Sequence, residues 1–295
     1  MTKPRLLLTG ATGFIGSRLR RDLAQGWDIL GTCRACAPGP EFARLDLTDA
    51  AQLERVFGEA APEAVVNAAG MADPDQCERE PDLARRVDRD GPRLLARLCA
   101  RAGARLVHFS TDLVFDGEGS WYKESDPPRP LGVYGRAKLE AEAAVLDACP
   151  SAAVLRVATV YGRALSGRPS FLDTLHRTLS AGEKVLAFVD QWRTATPCGL
   201  LPGAVDALLR RRDLGGVFHC AGAQRASRWD FATEVCRVFG FPEALVEPGR
   251  AAEARFLSPR PRDTSLNSAR LSGLLALPLP SLRRGLEQAR REWES

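Results

Sequence analysis

A glycine-rich turn, Thr9-Gly10-Ala11-Thr12-Gly13-Phe14-Ile15-Gly16, joins the first apolar run of the chain to its first helical pattern. The run Arg5–Thr9 is typical of a buried strand, and the apolar spacing over residues 14–25 indicates a helix. In such a turn the first glycine permits a tight bend, the second lets backbone approach a pyrophosphate, and the third lets the helix pack on the sheet. The free N–H groups at the helix start attract an anion. We therefore predict a dinucleotide site that includes Gly10, Thr12, Gly13, Phe14 and Ile15.

The first half of the chain alternates strand-like and helix-like segments. Strands are predicted at 5–9, 27–33, 64–67, 105–110 and 153–157, and helices at 14–25, 50–59, 88–102 and 137–148. Repeated β-α units predict a parallel sheet with helices on both faces, and right-handed crossovers make it doubly wound. The predicted fold class is α/β, a doubly wound parallel Rossmann sheet with a smaller, interleaved C-terminal substrate lobe.

The alternation changes after residue 162. Helices are predicted at 171–181, 202–211, 228–239 and 282–293, strands at 184–189 and 217–220, and loops over 246–270, which is rich in Pro, Arg and Ser. No clean linker separates the two halves. We therefore predict a nucleotide-binding domain over 1–165, to which 198–222 returns, and a small lobe formed by 166–197 and 223–295.

The composition excludes several classes of protein. Hydrophobic residues make up 45% of the 295 residues and charged residues 26%, which is ordinary for a globular protein. A net charge of +4 and scattered arginines do not make a nucleic-acid surface. No apolar stretch reaches the length of a transmembrane helix, and the first one is too short for a secretory signal. We expect a cytoplasmic protein without a nucleic-acid or membrane partner.

The cysteines and histidines do not predict a metal site. Of the eight cysteines, only Cys33 and Cys36 form a CxxC pair, which is either a redox pair or half of a zinc site. No second pair completes four ligands. In a reducing cytoplasm the cysteines are expected to be thiols. The histidines, His108, His176 and His219, lack metal spacing, and we expect the first and last to be structural.

The end of the second strand bears on the choice of cofactor. It ends with Cys33 and Arg34 and carries no acid, whereas NAD sites usually place Asp or Glu there on the ribose 2′-hydroxyl. Arg34 can instead bind a 2′-phosphate in bidentate fashion and stack on adenine. NADP(H) is therefore predicted. The alternative, a surface arginine in a protein that accepts either cofactor, stays open.

Two further strand ends are expected to contact the cofactor. Asp46 and Leu47 follow the third strand and would border the adenine, and the small residues Ala68, Ala69 and Gly70 follow the next strand. Ligands of open α/β sheets bind at the carboxyl ends of the strands. Simple packing at the strand ends is the alternative for both segments.

Tyr134 and Lys138 form a YxxxK pattern that predicts acid-base chemistry. Four residues apart on a helix, their phenol and ammonium groups share one face. A nearby cation favours the phenolate and lowers the pKa of the phenol from about 10, which would make Tyr134 a competent proton donor to a carbonyl that receives hydride. Lys138 can also hold the ribose. Ser110-Thr111-Asp112 ends a strand at the same edge, where a hydroxyl can donate to the substrate oxygen.

These motifs together resemble the extended short-chain dehydrogenase/reductase superfamily. More narrowly, residues 110–117 (STDLVFDG) resemble the dTDP-4-dehydrorhamnose reductase family, as do further matches at Leu155-Arg156, Val160-Tyr161-Gly162, Asp190-Gln191, Thr196-Pro197 and Arg260-Pro261. The resemblance implies that Thr111, Tyr134 and Lys138 are a catalytic triad. It also implies reduction of the 4-keto group of a nucleotide-linked 6-deoxyhexose by a nicotinamide cofactor.

The chain departs from this family mainly around the expected sugar pocket. Leu113 stands where an aromatic residue is usual, residues 157–159 lack a common Trp, and Asp88 replaces a conventional Asn. Residues 192–193 (Trp-Arg) replace a smaller, glycine-containing turn. Asp112, Arg193 and Arg260, together with Arg262, are candidates for substrate binding, the arginines through phosphates; the alternative for each arginine is a surface role.

Other functions of the same fold compete with the reductase. A 4,6-dehydratase would want an acid after Asp112, where this chain has Leu113, and an epimerase typically keeps NAD and a longer substrate lobe. The chain also resembles the regulatory subunit of methionine adenosyltransferase, around residues 77–82 and 122–124. A non-catalytic NADP-binding subunit with a client protein, and a reductase of a non-sugar ketone, stay open. So does a homodimer.

Overall fold

The computed structural model describes residues 2–37 and 39–294. Its strands in chain order are β1 (Arg5–Thr9), β2 (Asp28–Cys33), β3 (Phe42–Arg44), β4 (Ala64–Asn67), β5 (Arg105–Thr111), β6 (Ala153–Val157), β7 (Val160–Tyr161), β8 (Val185–Phe188), β9 (Trp192–Arg193), β10 (Thr196–Pro197), β11 (Gly216–Cys220), β12 (Ala226–Ser227) and β13 (Val246–Gly249). Seven of these described strands form one parallel sheet in the order β11-β6-β5-β4-β1-β2-β3. The order reverses between β1 and β4, and such a switch point is where open α/β sheets bind ligands.

Helices cover the sheet and build the second half of the chain. They are α1 (Phe14–Leu23), α2 (Ala50–Ala60), α3 (Pro74–Arg79), α4 (Pro81–Arg85), α5 (Gly91–Ala102), α6 (Val133–Ala148), α7 (Phe171–Ser180), α8 (Leu201–Arg210), α9 (Arg228–Phe239), α10 (Ala269–Leu275) and α11 (Leu282–Glu294). Side-chain caps fix several helix starts: Asp49 accepts the backbone N–H of Gln52 at α2, and Ser170 and Ser227 form capping boxes at α7 and α9.

Separate apolar clusters lie on the two faces of the sheet. One packs α1 and α8 against the sheet around Leu8 and Leu155, and the other packs α2 and α5 around Val65 and Leu106. A third cluster, centred on Phe231, joins α7, α9 and α11. The Rossmann fold class predicted from the sequence is confirmed.

The structure differs from the sequence-based expectations at two segments. The helix expected over 88–102 begins with a π-turn at Arg86–Asp90, where the Gly91 N–H donates to the Arg86 carbonyl. Pro92 follows directly, and since it has no N–H it cannot continue the ordinary ladder. The region 246–270 is not all loop, because β13 pairs in parallel with β8. No helix in the described part of the chain is long and apolar enough to cross a membrane.

The cysteines divide into two groups. Cys33 and Cys36 are joined in a disulfide, which differs from the thiols expected for this pair. Their Cα atoms lie 5.7 Å apart, within the range that a disulfide spans without backbone movement. The other six cysteines are free and buried.

Candidate active site

The turn between β1 and α1 is a close-packed cradle. Gly10 has a φ of +69°, and a Cβ there would lie 2.8 Å from the Ala69 Cα atom. A Cβ on Gly16 would overlap the Gly10 carbonyl oxygen. Gly13 is the N-cap of α1 and no side chain caps that helix start, so the N–H groups of the first turn remain available to an anion. The predicted cofactor residues Thr12, Phe14 and Ile15 lie in the same segment.

Gly16→Ala is expected to raise the Kd for NADPH by about tenfold or more, because the new methyl group pushes α1 away from the turn that positions its N–H groups. Fluorescence titration with NADPH measures the change. The matched control is Gly58→Ala in α2, where nothing lies within 4 Å of the added Cβ. Equal NADPH affinity in both variants would show that the turn does not hold the cofactor.

Charged side chains surround the carboxyl ends of β2 and β3. Arg34 is exposed just beyond β2, and Arg44 ends β3. Asp46 accepts hydrogen bonds from the backbone N–H of Thr48 (2.9 Å) and from its hydroxyl (2.8 Å). Burial opposes ionisation of Asp46, but these bonds and the two arginines lower its pKa. Leu47 is buried beside them. The carboxyl ends of β2 and β3 therefore carry two arginines next to the apolar side chain of Leu47.

A buried polar ladder crosses the sheet at the switch point. The Thr9 hydroxyl donates to Asn67 Oδ1 (2.5 Å), and Asn67 Nδ2 lies 3.0 Å from His108 Nδ1. The ladder fixes the end of β4 against β1. Ala68, Ala69 and Gly70 follow directly, and a Cβ on Gly70 would lie 2.5 Å from an Asp88 carboxylate oxygen. Small residues are therefore required where β4 meets the glycine turn.

Thr111, Tyr134 and Lys138 meet at the carboxyl edge of the sheet. Thr111 ends β5, and its hydroxyl hydrogen-bonds the Tyr134 phenol. Tyr134 lies in the first turn of α6, and Lys138 lies one turn further, only 4% exposed. A Cβ on Gly135 would overlap the Leu113 carbonyl oxygen, so glycine lets α6 approach this loop. The structure thus brings together the three residues that the family resemblance assigns to a triad.

The pKa of Tyr134 is raised, not lowered as the YxxxK spacing predicts. Burial raises it, the Asp88 and Asp112 carboxylates raise it further, and only the hydrogen bond with Thr111 acts in the opposite direction. The phenol is therefore protonated throughout the neutral range, which is the form that a proton donor needs. For Lys138, whose charged form is the protonated one, burial lowers the pKa, while Asp88 and Glu142 oppose that shift.

Asp88 is one of the buried carboxylates near Tyr134 and Lys138. It is fully buried and accepts the backbone N–H of Met71 at 3.1 and 3.2 Å through its two oxygens. Burial raises its pKa to about 6, against the opposing effects of Lys138 and of the Met71 hydrogen bond. Because Asp88 lies in the π-turn before α5, the irregular turn places this carboxylate at the site.

Asp88→Asn is expected to raise the free energy of unfolding of the cofactor-free protein at pH 7 by about 2–3 kcal/mol. The pKa of Asp88 is about 6 in the folded protein, against 3.8 for an unperturbed aspartate, which represents the unfolded chain. Between these values the folded state holds more protons than the unfolded state, so wild-type stability falls as pH rises through this window. The asparagine side chain of the variant does not ionise, so the variant does not lose this stability as pH rises. Its advantage over wild type in free energy of unfolding disappears near pH 4.

Urea unfolding at both pH values measures this difference. The control is Asp147→Asn, which alters an exposed carboxylate on α6. An Asp88→Asn variant that is less stable than wild type at pH 7 would contradict the expectation.

Asp112 and Arg193, both predicted to bind substrate, are paired with each other. Arg193 Nε lies 3.1 Å from Asp112 Oδ2, and both side chains are buried. The Thr264 hydroxyl also donates to this carboxylate, and Arg193 Nη2 donates to the Pro261 carbonyl (3.1 Å). The pair therefore ties the loop after β5 to the C-terminal part of the chain. Its direct contact with substrate stays a prediction.

Arginines give the far side of the site a positive charge. The Arg228 guanidinium stacks 4.6 Å from the Phe171 ring centre and has no ion-pair partner within 4 Å among the described residues. Burial and the neighbouring Arg193 lower its pKa to about 10, with Asp112 opposing them. Arg260 donates to Asp75 (2.8 Å), and its Nη1 atom is buried without a partner. Such a cluster suits an anionic ligand group.

The two buried histidines hold strands in place. His219 Nδ1 lies 3.0 Å from the Tyr122 carbonyl oxygen, and His108 takes part in the ladder at the switch point. Burial lowers the pKa of His219 to about 3 and that of His108 well below its usual range, so both are neutral. No group of His, Cys, Asp and Glu side chains within residues 2–37 and 39–294 could hold a metal ion.

The RmlD substrate binding domain family matches residues 4–294. The chain belongs to this family. The dTDP-4-dehydrorhamnose reductase of Mycobacterium tuberculosis is 37% identical over 284 residues, which cover 92% of this chain and 88% of that protein. Methionine adenosyltransferase 2 subunit beta of Pongo abelii is 30% identical, over 92% of this chain and 82% of that protein. A crystal structure of dTDP-4-dehydrorhamnose reductase from Bacillus anthracis in complex with NADP has 27% identity and a TM-score of 0.89, covering 99% of this chain and 100% of that one.

Membership of the RmlD family confirms the resemblance that the motifs indicated. Three features of this family member were missed by sequence reasoning. The sequence places Arg228 only at the start of a predicted helix, although its position directly after the capping Ser227 could have indicated a fixed side chain. Arg44 lies beside the end of β2 because it pairs in register with Cys33, and this strand pairing cannot be read from local sequence. Thr159, between β6 and β7, has a φ of +31°, a rare backbone conformation for a β-branched residue.

Proposed function

We propose that this chain is an NADPH-dependent reductase that transfers hydride to the 4-keto group of a nucleotide-linked 6-deoxy sugar. The observation that carries the proposal is the meeting of the Thr111 and Tyr134 hydroxyls beside buried Lys138. Relatives that bear the name dTDP-4-dehydrorhamnose reductase, one of them solved with NADP, support the same reaction class.

The residues at the switch point fit a dinucleotide. Backbone at Gly10 and Gly16 leaves no room for a side chain, and the start of α1 offers uncapped N–H groups for a diphosphate. Arg34 and Arg44 supply cations for a 2′-phosphate at the ends of β2 and β3. When bound, reduced nicotinamide supplies the hydride.

Side chains of the protein bind and protonate the ketone oxygen. Thr111 and Tyr134 donate hydrogen bonds to it, and the Tyr134 proton passes to this oxygen as negative charge develops there. Buried Lys138 stabilises the tyrosinate that remains and binds the ribose of the cofactor. Arg228 and Arg260 bind the diphosphate of the sugar nucleotide, with Arg193 and Asp112 fixing the adjoining loop.

Oxidation of NADPH in the presence of a dTDP-4-keto-6-deoxyhexose tests this proposal. We expect turnover that depends on the sugar nucleotide and yields the 4-hydroxy product. A protein that binds NADPH but leaves this sugar and other nucleotide-linked keto sugars unreduced would exclude the proposed substrate class. The assay would then move to ketones without a nucleotide.

Arg34→Ser is expected to raise the Kd for NADPH by about tenfold and to change the Kd for NADH by less than about twofold, because only NADPH carries the 2′-phosphate. Titration with both cofactors separates the effects. Arg55→Ser, which removes an exposed arginine paired with Glu59 on α2, is the matched control. A parallel loss of NADH affinity would contradict the role of Arg34.

A second candidate function is that of a non-catalytic NADP-binding subunit. The relatives named methionine adenosyltransferase 2 subunit beta support it, since they match over 92% of this chain. Co-purification with methionine adenosyltransferase, together with failure of the reductase assay, would favour this function. We further propose that the protein is a homodimer in the cytoplasm, and sedimentation tests its oligomeric state. Residues 1–165 and 198–222 would form the nucleotide-binding domain and the remaining segments the substrate lobe, a division that limited proteolysis tests.

A further inference from the structure

The disulfide between Cys33 and Cys36 lies at the proposed 2′-phosphate site. Cys33 is the last residue of β2, and only Arg34 and Ala35 separate it from Cys36. Arg34 and Ala35 are both exposed, whereas Cys33 is buried and Cys36 half-buried. The bond therefore closes a small ring of backbone that contains the arginine proposed to contact the cofactor.

One end of this ring is fixed in the sheet. The Cys33 carbonyl accepts the Leu45 N–H at 2.9 Å, and Cys33 pairs in register with Arg44. Because Cys33 cannot move without breaking the β2–β3 ladder, the disulfide holds Cys36 and the backbone of Arg34 against the sheet edge. Breaking the bond releases the loop but leaves the strand intact.

The surroundings also suit the reduced form. Cys36 Sγ lies 3.6 Å from the Cys33 carbonyl oxygen and 3.7 Å from that of Ala43, so a Cys36 thiol has acceptors at its present position. Zinc does not explain the pair, because no group of three or more candidate ligand side chains occurs in the described part of the chain. Both redox states can therefore exist without rebuilding the strand.

We propose that Cys33 and Cys36 are a reversible dithiol–disulfide couple that sets the affinity for NADPH through Arg34. The proposal rests on the NADP(H) binding proposed above. Oxidation by a small-molecule disulfide proceeds through a mixed disulfide at the more accessible Cys36. The Cys33 thiolate then attacks Cys36 Sγ, forming the intramolecular bond and releasing the second of two small thiols. A dithiol reductant reverses the exchange, leaving two protein thiols and an oxidised reductant.

The oxidised form is the one that binds NADPH more tightly. The closed ring restricts the backbone of Arg34, so less conformational freedom is lost when its guanidinium takes up the 2′-phosphate. In the reduced form the loop samples more conformations. We expect reduction to raise the Kd for NADPH by about three- to tenfold. NADH, which lacks the 2′-phosphate, should bind equally to both forms.

The test titrates fully oxidised and fully reduced protein with NADPH and with NADH, after thiol alkylation and mass spectrometry have established the state of each cysteine. Cys36→Ser cannot close the ring, so it should bind NADPH like the reduced wild type and show no response to oxidant. The inference is overturned if Cys33 and Cys36 stay alkylatable after oxidation, if both states bind NADPH equally, or if NADH affinity changes in parallel. Absence of NADPH binding in either state would instead count against the proposed function.

Discussion

Tyr134→Phe is expected to lower kcat for ketone reduction by about 10²- to 10⁴-fold, because the variant removes the group that transfers its proton to the reacting oxygen in the proposed mechanism. The phenol oxygen hydrogen-bonds Thr111, so Phe also leaves that hydroxyl without its partner. The Kd for NADPH should change by less than about twofold, since the glycine turn and Arg34 lie elsewhere at the sheet edge. Stopped-flow oxidation of NADPH, combined with cofactor titration, separates the two quantities.

Tyr161→Phe is the matched control for this variant. Tyr161 is also buried, but it packs in the cluster formed by α7, α9 and α11 and not beside Thr111. We expect it to keep kcat within about twofold of wild type. A Tyr134→Phe enzyme that retains more than about a tenth of wild-type kcat would exclude the phenol as the general acid and would point to bound water instead.

The parallel half of the fold could be predicted because local signals agree there. β1, β4 and β6 begin and end where the sequence predicts, since each is a short apolar run bounded by turns or by a capped helix. The π-turn before α5 could not be read from periodicity, because the i→i+5 hydrogen bond from the Gly91 N–H to the Arg86 carbonyl leaves no repeat in the sequence. The pairing of β13 with β8 joins segments some sixty residues apart, which no local pattern reveals.

The candidate site could be predicted only in part, for a physical reason. The glycine turn and the Tyr134–Lys138 spacing are properties of contiguous sequence and were found. The sign of the pKa shift of Tyr134 depends first on burial and then on Asp88 and Asp112, which the fold brings in from other segments. The pairing of Arg193 with Asp112 is likewise a tertiary contact. The sequence predicts both as substrate-binding residues and does not reveal that they form an ion pair with each other.

A buried ion pair supports the catalytic face of α6. Glu142 lies one turn beyond Lys138, so it continues the stripe that contains Tyr134. Its carboxylate accepts the Ser110 hydroxyl (2.5 Å) and two bonds from Arg156, at 2.9 and 2.6 Å. Ser110 precedes the Thr111 of the proposed triad, and Arg156 belongs to β6. The pair thus fastens α6 to the two strands next to the reacting groups.

Arg156→Met is expected to cost about 3–5 kcal/mol of folding free energy, because it leaves the Glu142 carboxylate buried without its cation. Adding Glu142→Gln should recover part of this loss, since the double variant buries no unpaired charge. Urea unfolding of the two single variants and the double variant gives the coupling energy between the side chains. If the costs of the single variants simply add in the double variant, the pair does not act as a unit. Apolar contacts would then hold α6 against the sheet, and loss of the Arg156–Glu142 ion pair would leave kcat unchanged.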